Sequence, residues 1–336
     1  MSTNHASPFV DGTQIQFAWD STSLTIAMAC PQRYKFEILD GWEPRNPNVA
    51  IALAFGILVH TGIETYHQLC ASGASFDDAV VGSLRAVMSK DDFRKPGEAL
   101  WDKIPVEADI IEMKAADAED DEADGIDLRN SKIRTRYHLF RALVWYFDNY
   151  RTDALQVVSL ADGTAAVEHS FRVPVGEALS DGTPLMLSGH LDKVVLFNDQ
   201  LYVSDVKTTK SITAQWRQSF DLSHQMTGYT LGGKIGLRQP VQGAFIDGIC
   251  LQVGGVKFNR FVTVRSESQL REYVRLLKYT ADQAEMWFQN NYWPQNTSAC
   301  MFCQYKEVCR QPPEFRAGTL RTHFKQAPAW NPLAIR

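Results

Sequence analysis

The chain has 336 residues, of which 45% are hydrophobic and 22% are charged, so disorder over most of its length is excluded. The longest apolar run, residues 49–59, is much shorter than the ~20 residues that a membrane-spanning helix requires. Residues 1–14 lack the basic and apolar regions of a signal peptide. We therefore expect a cytoplasmic protein that does not bind a membrane.

The net charge of −5 argues against a protein coated in nucleic acid, but the charge is unevenly distributed. Residues 98–127 contain twelve acidic and two basic residues, and we interpret this acidic stretch as an insertion. Residues 257–336 contain twelve basic and six acidic residues. A polyanionic partner can therefore still bind one face of the protein.

The first half of the chain is predicted to be helical. Apolar residues at helical spacing, with Ser21 as a helix cap and Pro31 in a first turn, predict a series of helices. These helices are expected at residues 21–30, from Pro31 onward, and at 49–70, 76–89 and 131–150.

The second half of the chain changes to an alternating pattern that is typical of strands. Strands are expected at residues 164–175, 185–197, 201–207, 242–253 and 257–264, and helices at 213–232 and 267–290. This order of elements predicts an α/β or α+β fold with one central sheet.

The strands on either side of residues 198–199 are predicted to form a tight hairpin, because Asn-Asp separates two alternating runs. In that register Phe197 lies opposite Gln200, and Asp192 lies opposite Asp205. Directly opposed residues have Cβ atoms about 4.5–5.5 Å apart. Two carboxylates at that distance repel each other unless one is protonated or a cation lies between them.

Lys207 follows Asp205 by two positions, so both side chains are expected on the same face of the sheet. Carboxylates that hold Mg²⁺ or Mn²⁺ beside a lysine can support metal-assisted phosphodiester cleavage. The lysine would orient or deprotonate water, or stabilise the transition state. The alternative interpretation is a surface hairpin that carries an ordinary Asp–Lys ion pair.

Gly189 and Asp192, followed by Asp205 and Lys207, resemble the core of the PD-(D/E)XK nuclease superfamily. The resemblance implies an α/β, restriction-endonuclease-like core with a central mixed sheet flanked by helices. It also implies that Asp192, Asp205 and the backbone carbonyl of Val206 bind the metal. Lys207 would act in catalysis together with the two acids.

Two further motifs resemble RecB-type members of that superfamily. The run F-G-x-x-V-H ends at His60, which the resemblance makes a metal ligand, although a histidine among apolar residues can also be structural. Gln225 and Tyr229 share one face of a helix and would position the DNA. Glu168 and His190 are expected beside the metal ligands rather than among them.

Cys300, Cys303 and Cys309 form a C-x₂-C-x₅-C pattern, and three thiols this close indicate a metal. Cys30, followed by Pro31, resembles the distant first ligand of CRISPR-associated and AddB-type iron–sulfur nucleases. The resemblance implies a 4Fe–4S cluster held by four thiolates, with a structural Zn²⁺ site as the alternative. Such a cluster would join the two ends of the chain.

These observations predict a helical N-terminal region at 1–152, a nuclease core at 153–290, and an iron–sulfur segment with a basic tail at 291–336. The predicted function is a Mg²⁺- or Mn²⁺-dependent DNA exonuclease in recombination, repair, or phage or CRISPR DNA processing. It would act on single-stranded or free-ended DNA. The sequence lacks G-x-x-x-x-G-K-[ST], so unwinding would require a helicase or recombination protein as partner. The alternatives are an inactive subunit that binds DNA ends and an RNA-processing nuclease.

Overall fold

The computed structural model describes residues 7–45, 51–92, 97–106, 133–160 and 162–333. The predicted acidic insertion therefore lies, from residue 107 onward, outside the described residues. The helices are α1 (Ser21–Ala29), α2 (Pro31–Tyr34), α3 (Ile51–Ala71), α4 (Phe76–Ser89), α5 (Arg136–Asn149), α6 (Ala214–Gln218), α7 (His224–Leu237), α8 (Glu267–Gln289), α9 (Lys306–Cys309) and α10 (Pro313–His323). Within the described ranges, none of these helices has both the length and the apolar character needed to cross a bilayer.

The strands are β1 (Ala18–Trp19), β2 (Trp42–Pro44), β3 (Gln156–Val157), β4 (Val167–Ala178), β5 (Pro184–Phe197), β6 (Gln200–Thr209), β7 (Val241–Gln252), β8 (Gly255–Val264) and β9 (Phe324–Gln326). One sheet follows the order β1-β5-β6-β7-β8, and both β3 and β4 also pair with β5. The β1–β5 and β6–β7 pairs are parallel, and the other pairs of this sheet are antiparallel. The predicted α/β fold with a central mixed sheet is thus confirmed.

Capping residues determine where several helices begin. The carboxylate of Asp20 accepts the backbone N–H of Ser23 at the start of α1, and Ser266 forms a capping box with Gln269 at the start of α8. The prediction of one helix over residues 213–232 is wrong, because the chain turns between α6 and α7. Ser223 caps the second of these helices by accepting the backbone N–H of Met226.

The predicted hairpin between β5 and β6 is present, with Phe197 opposite Gln200. The turn residues 198–199 have φ values of 48° and 59°, which match the left-handed backbone of a type I′ turn. Pairing continues from this turn as far as Lys193 and Ser204. The hairpin register is therefore fixed by the turn over its first five residue pairs.

Helices cover both faces of the central sheet. One face packs against α1, α7 and α8, and its core includes Leu191, Val203 and Ile246. The other face packs against α3 and α5, with Val206 and Ile249 in its core. Burial on both faces explains why apolar residues occupy both alternating positions along much of β7.

The C-terminal segment returns to the N-terminal helices. Strand β9 pairs antiparallel with β2, and a small core that contains Phe36, Tyr305 and Phe324 lies beside this pair. Farther along, the Trp330 backbone N–H donates to Ile38, and the indole Nε1 donates to Asp20. The two ends of the described chain are thus packed together. The domain boundaries proposed above remain predictions.

Candidate active site

A cleft of about 560 Å³ lies beside α3 and α7, where β5 and β6 separate. Its lining includes every side chain predicted for catalysis, metal binding or DNA positioning, contributed by two helices and three strands. These residues are His60, Glu168, His190, Asp192, Asp205, Val206, Lys207, Gln225 and Tyr229. Residues far apart in sequence are therefore brought to one concave surface.

The separation of β5 from β6 begins at Asp192. The pairing of β5 with β6 ends at Lys193 and Ser204, one residue pair before Asp192 and Asp205. The predicted direct opposition of these two acids is therefore replaced by a different contact. The Asp192 Oδ2 atom instead accepts the backbone N–H of Val206 at 2.9 Å. A side chain thus takes the place of a ladder hydrogen bond, which opens the sheet and leaves space between the acids.

Glu168 lies on β4, which also pairs with β5, and the flanking residue pairs align Glu168 with Asp192. Its φ of 46° is in the left-handed region, where a residue with a side chain is strained. One ligand atom each from His60, Glu168 and Asp192 lies within 4.8 Å of the others. The sequence placed Glu168 beside the metal ligands, whereas the structure groups its carboxylate with two of them.

Asp205 is only 1% exposed, and the Nζ atom of Lys207 lies 2.7 Å from its Oδ2 atom. No second polar partner reaches this carboxylate within the described part of the chain. Burial raises the pKa of Asp205 to about 6, although the Lys207 charge opposes the shift, and the charge of Asp192 adds to it. A buried carboxylate with so little compensation is suited to bind a cation.

His60 and Asp192 form a close pair, with 3.1 Å between Nδ1 and Oδ2. Burial disfavours the charged form of Asp192, but His60, Lys207 and the Val206 N–H outweigh burial and lower its pKa to about 2. Burial likewise lowers the pKa of His60, but the charge of Asp192 produces a net increase. The His60 side chain is 28% exposed and contacts an acid, so it is not enclosed in the apolar core.

The remaining predicted residues, Gln225, Tyr229 and His190, also line the cleft. Gln225 Nε2 donates to the Tyr229 hydroxyl at 3.0 Å, and burial raises the pKa of Tyr229 well above its usual value. Counting from the turn at 198–199 would place His190 opposite Lys207, but the β5–β6 pairing ends before these two residues. His190 is aligned with Ser170 on β4 instead, and its Nδ1 atom lies 2.8 Å from the Ser170 hydroxyl.

Glycines allow α7, which carries Gln225 and Tyr229, to pack closely against both the sheet and α8. A Cβ atom at Gly232 would collide with the ring of Phe171, and one at Gly228 would lie 2.8 Å from the hydroxyl of Tyr273. The glycine-rich sequence of this helix is therefore required by packing, and the cleft depends on that packing.

A sequence model of the PD-(D/E)XK nuclease superfamily matches residues 20–310. The chain belongs to this superfamily. A crystal structure from Eubacterium rectale, named there as a candidate exonuclease, is 13% identical with a TM-score of 0.44, and the match covers 93% of this chain and 94% of that one. The crystal structure of SSO0001 is 14% identical with a TM-score of 0.29, covering 50% of this chain and 66% of that one. A search of curated proteins found no match.

In this PD-(D/E)XK protein, the four predicted cluster cysteines also line one small cavity: Cys30, Cys300, Cys303 and Cys309. All four are free thiols. Burial raises the pKa of Cys309 to about 11, and the neighbouring sulfurs contribute to the increase. The backbone N–H of Asn296 lies 3.5 Å from the sulfur of Cys30. The structure thus brings together cysteines from both ends of the nuclease chain.

A buried charged cluster that local sequence patterns do not predict lies on the opposite side of the sheet. Lys193 Nζ lies 3.0 Å from Asp247 Oδ2, and the Tyr146 hydroxyl donates to the same oxygen at 2.7 Å. Arg260 pairs with both Asp247 and Asp153. A single acid within the apolar run of β7 was the available indication, because a buried carboxylate requires buried partners.

Proposed function

We propose that this protein is a metal-dependent nuclease that hydrolyses phosphodiester bonds in DNA and acts as an exonuclease. One observation carries the proposal: the almost fully buried Asp205 shares a cleft with Asp192, His60 and Lys207 and has too little internal charge compensation. Membership of the PD-(D/E)XK superfamily supports the same reaction class.

We assign the metal to His60, Asp192, Asp205 and the backbone carbonyl of Val206, and we add the carboxylate of Glu168. Carboxylate oxygens with one imidazole suit Mg²⁺ or Mn²⁺, and the uncompensated acid of this site fits a divalent cation. When bound, the cation supplies Lewis acidity and neutralises charge that develops on the scissile phosphate. His60 and Asp192 hold each other in position through their direct contact.

The Lys207 side chain is accessible from the cleft and is held in place by an acid, as a catalytic lysine requires. Its side chain is 30% exposed and lines the cleft, while Asp205 holds the ammonium group at 2.7 Å. The ammonium can therefore orient the attacking water and stabilise the negative charge of the transition state. Gln225 and Tyr229 form the facing wall and position the DNA strand, with Tyr229 held by their mutual hydrogen bond.

We propose that the four clustered cysteines hold a 4Fe–4S cluster. A tetrahedral Zn²⁺ with Zn–S bonds of about 2.3 Å would place the sulfurs roughly 3.8 Å apart. Among the described residues, His60, Glu168 and Asp192 form the one group of three or more metal-ligand atoms that all lie within 4.8 Å of one another. No three of the four cysteine sulfurs therefore lie that close together. Wider spacing favours the larger cluster over Zn²⁺ as the occupant.

The proposed substrates are single-stranded DNA and DNA with free ends, supplied by a helicase or recombination protein. The corresponding processes are recombination, repair, and phage or CRISPR DNA processing. The test is digestion of end-labelled single-stranded DNA, duplex DNA and RNA with Mg²⁺, with Mn²⁺ or with a chelator. We expect metal-dependent release of short products from the DNA end.

A variant of Lys207 tests whether the proposed site is responsible for cleavage. Lys207→Gln is expected to abolish cleavage while DNA binding survives. Lys278→Gln on α8 is the matched control, because the Lys278 side chain is 29% exposed and that of Lys207 is 30% exposed. Binding without cleavage by the unchanged protein would instead indicate a subunit that binds DNA ends. Preferred digestion of RNA would indicate RNA processing.

The cluster requires its own measurement. Protein purified without oxygen should be coloured and contain about four irons per chain. Cys309→Ala should lose the iron, whereas Cys70→Ala should keep it, because Cys70 lies outside the cavity. A colourless protein with bound zinc would replace the cluster by a zinc site and leave the nuclease proposal intact.

A further inference from the structure

The active-site cleft contains too much negative charge to attract a nucleic acid by itself. Its two lysines, Lys90 and Lys207, are outnumbered by the acids that line the cleft. These acids are Asp20, Glu64, Glu168, Asp192 and Asp205. Phosphate neutralisation supplies most of the affinity of proteins for nucleic acids, so the strand must be held by cations outside the cleft.

A second pocket, of about 390 Å³, lies on the same face of the sheet as Lys207. The register gives its position, since Lys207 is aligned with Gly248 on β7, and Gly248 with Asn259 on β8. Aligned residues share a face, and two strand spacings amount to about 10 Å. The side chains of Ile212 and Trp216 cover Gly248 and form a low wall between the two concavities.

The charge of this second pocket is opposite to that of the cleft. Its lining contains Arg217 and Lys257 and no acidic residue. Neither cation has an ion pair within the described ranges, and both are exposed. The exposed Lys210 directly precedes Ser211 at the pocket edge. We call this the basic pocket, defined by Ser211, Ile212, Arg217, Cys250, Gln252, Lys257, Phe258 and Asn259.

Asn259 contributes a second, independent feature. Its amide oxygen is buried and has no hydrogen-bond partner within the described part of the chain. An amide that turns by 180° exchanges this acceptor for an NH₂ donor. Asn259 lines the basic pocket, so the wall of this pocket contains a neutral amide as well as the two cations.

We propose that the basic pocket binds backbone phosphates of the substrate strand, a few nucleotides from the scissile bond. Arg217 and Lys257 neutralise the phosphates, and the strand crosses the Ile212–Trp216 wall into the acidic cleft. This inference rests on the proposed function, because it assigns the substrate path of the same site. The basic pocket then provides affinity for the strand, and the acidic cleft hydrolyses the phosphodiester bond.

The test uses the double variant Arg217→Gln/Lys257→Gln. The matched control is Arg85→Gln/Arg271→Gln, which removes the same charge from exposed positions on α4 and α8. Binding of a fluorescent single-stranded DNA of about 20 nucleotides is measured without divalent cation over a range of salt concentrations. Circular dichroism verifies that both variants fold.

We expect about tenfold weaker binding by the double variant and a salt slope that is reduced by about 1.4, since each lost contact on a single strand contributes about 0.7. The control should match the unchanged protein. In cleavage assays the KM for the oligonucleotide should rise while kcat and the hydrolysis of a dinucleotide stay the same. An RNA strand of equal length shows whether the pocket serves both backbones or DNA alone.

Unchanged binding and an unchanged salt slope in the double variant would overturn this inference. A loss of kcat with unchanged KM would overturn it as well, because the pocket would then act on the chemical step. Failure of the proposed function has a different signature: the unchanged protein would bind the strand and not cleave it with any metal. The two failures are therefore separable.

Discussion

Asp205 and Asp247 lie on neighbouring parallel strands, and each is 1% exposed, yet their surroundings differ completely. Asp247 is contacted by Lys193, Arg260 and the hydroxyl of Tyr146, and these partners outweigh burial and hold its pKa well below the usual range. Asp205 has one lysine, and burial raises its pKa to about 6.

The difference separates a structural acid from a functional one. A buried ion pair contributes to a folded protein when its charges are completed by internal partners. The acid on β6 lacks that completion, and it lies beside a second carboxylate and a solvent-filled cleft. Burial alone therefore does not mark a functional acid. A buried carboxylate that lacks internal partners indicates a functional acid, because it leaves a position for a cation from solution.

The largest expected effect is on cleavage by Asp205→Asn. Removal of the carboxylate should reduce the rate on the order of 10³-fold, because a metal ligand and the partner of Lys207 are lost together. In metal-free solution the same variant should melt at an equal or higher temperature, because a poorly compensated buried charge has been removed. Initial rates on end-labelled DNA and thermal melts measure the two effects. Full activity would refute the assignment.

The matching change on β7, Asp247→Asn, should instead destabilise the fold by about 3–5 kcal/mol, because Lys193 and Arg260 would remain buried without their acid. Denaturant unfolding measures the loss. Asp153→Asn is the control, because the Asp153 side chain is 22% exposed and, among the described residues, forms an ion pair with Arg260 only. Its expected loss is about 1 kcal/mol. Equal stability of the Asp247 variant and the unchanged protein would contradict the comparison.

The lowered pKa of Asp247 also predicts a pH dependence of stability. In the unfolded chain this carboxyl titrates near 3.9, above its folded-state pKa, so its contribution is complete well above pH 4. The contribution is lost as the pH falls from about 4 towards the folded-state value, because the unfolded chain takes up the proton first. The stability difference between the unchanged protein and Asp247→Asn should therefore narrow on acidification. A difference that widens below pH 4 would show the sign to be wrong.

The smallest expected effect is that of Tyr229→Phe, which removes the partner of Gln225 and leaves the ring in place. One hydrogen bond contributes about 0.5–1.5 kcal/mol, so cleavage should fall by no more than about tenfold. The effect should appear in KM rather than in kcat if the pair positions DNA. A variant that loses all cleavage would show that the hydroxyl takes part in the chemistry itself.

Local patterns explain which parts of the fold were predictable. The helix at Phe76–Ser89 and the turn at 198–199 follow from residues that are adjacent in sequence, such as the cap Ser75 and the Asn-Asp dipeptide. The hairpin register then follows by counting. Counting along the hairpin is therefore enough to predict that Asp192, Asp205 and Lys207 lie near one another.

Contacts between distant segments explain what could not be predicted. The positive φ of Glu168 and the bond from the Val206 N–H to Asp192 depend on three strands together. The partners of Asp247 come from separate elements, and no local spacing connects them. Alternation places Lys193 on the side opposite Asp192, but only the packed helix α5 supplies the hydroxyl that completes that cluster.

The segment that follows β9 links the C-terminal part of the chain to the main core and to the cleft. Leu333 is buried in the main core, and Trp330 forms part of the rim of the catalytic cleft through its bond to Asp20. Truncation after Gln326 would therefore remove Trp330 from the wall of the cleft and Leu333 from the hydrophobic core. Residues 327–333 therefore support both the main core and the wall of the candidate active site.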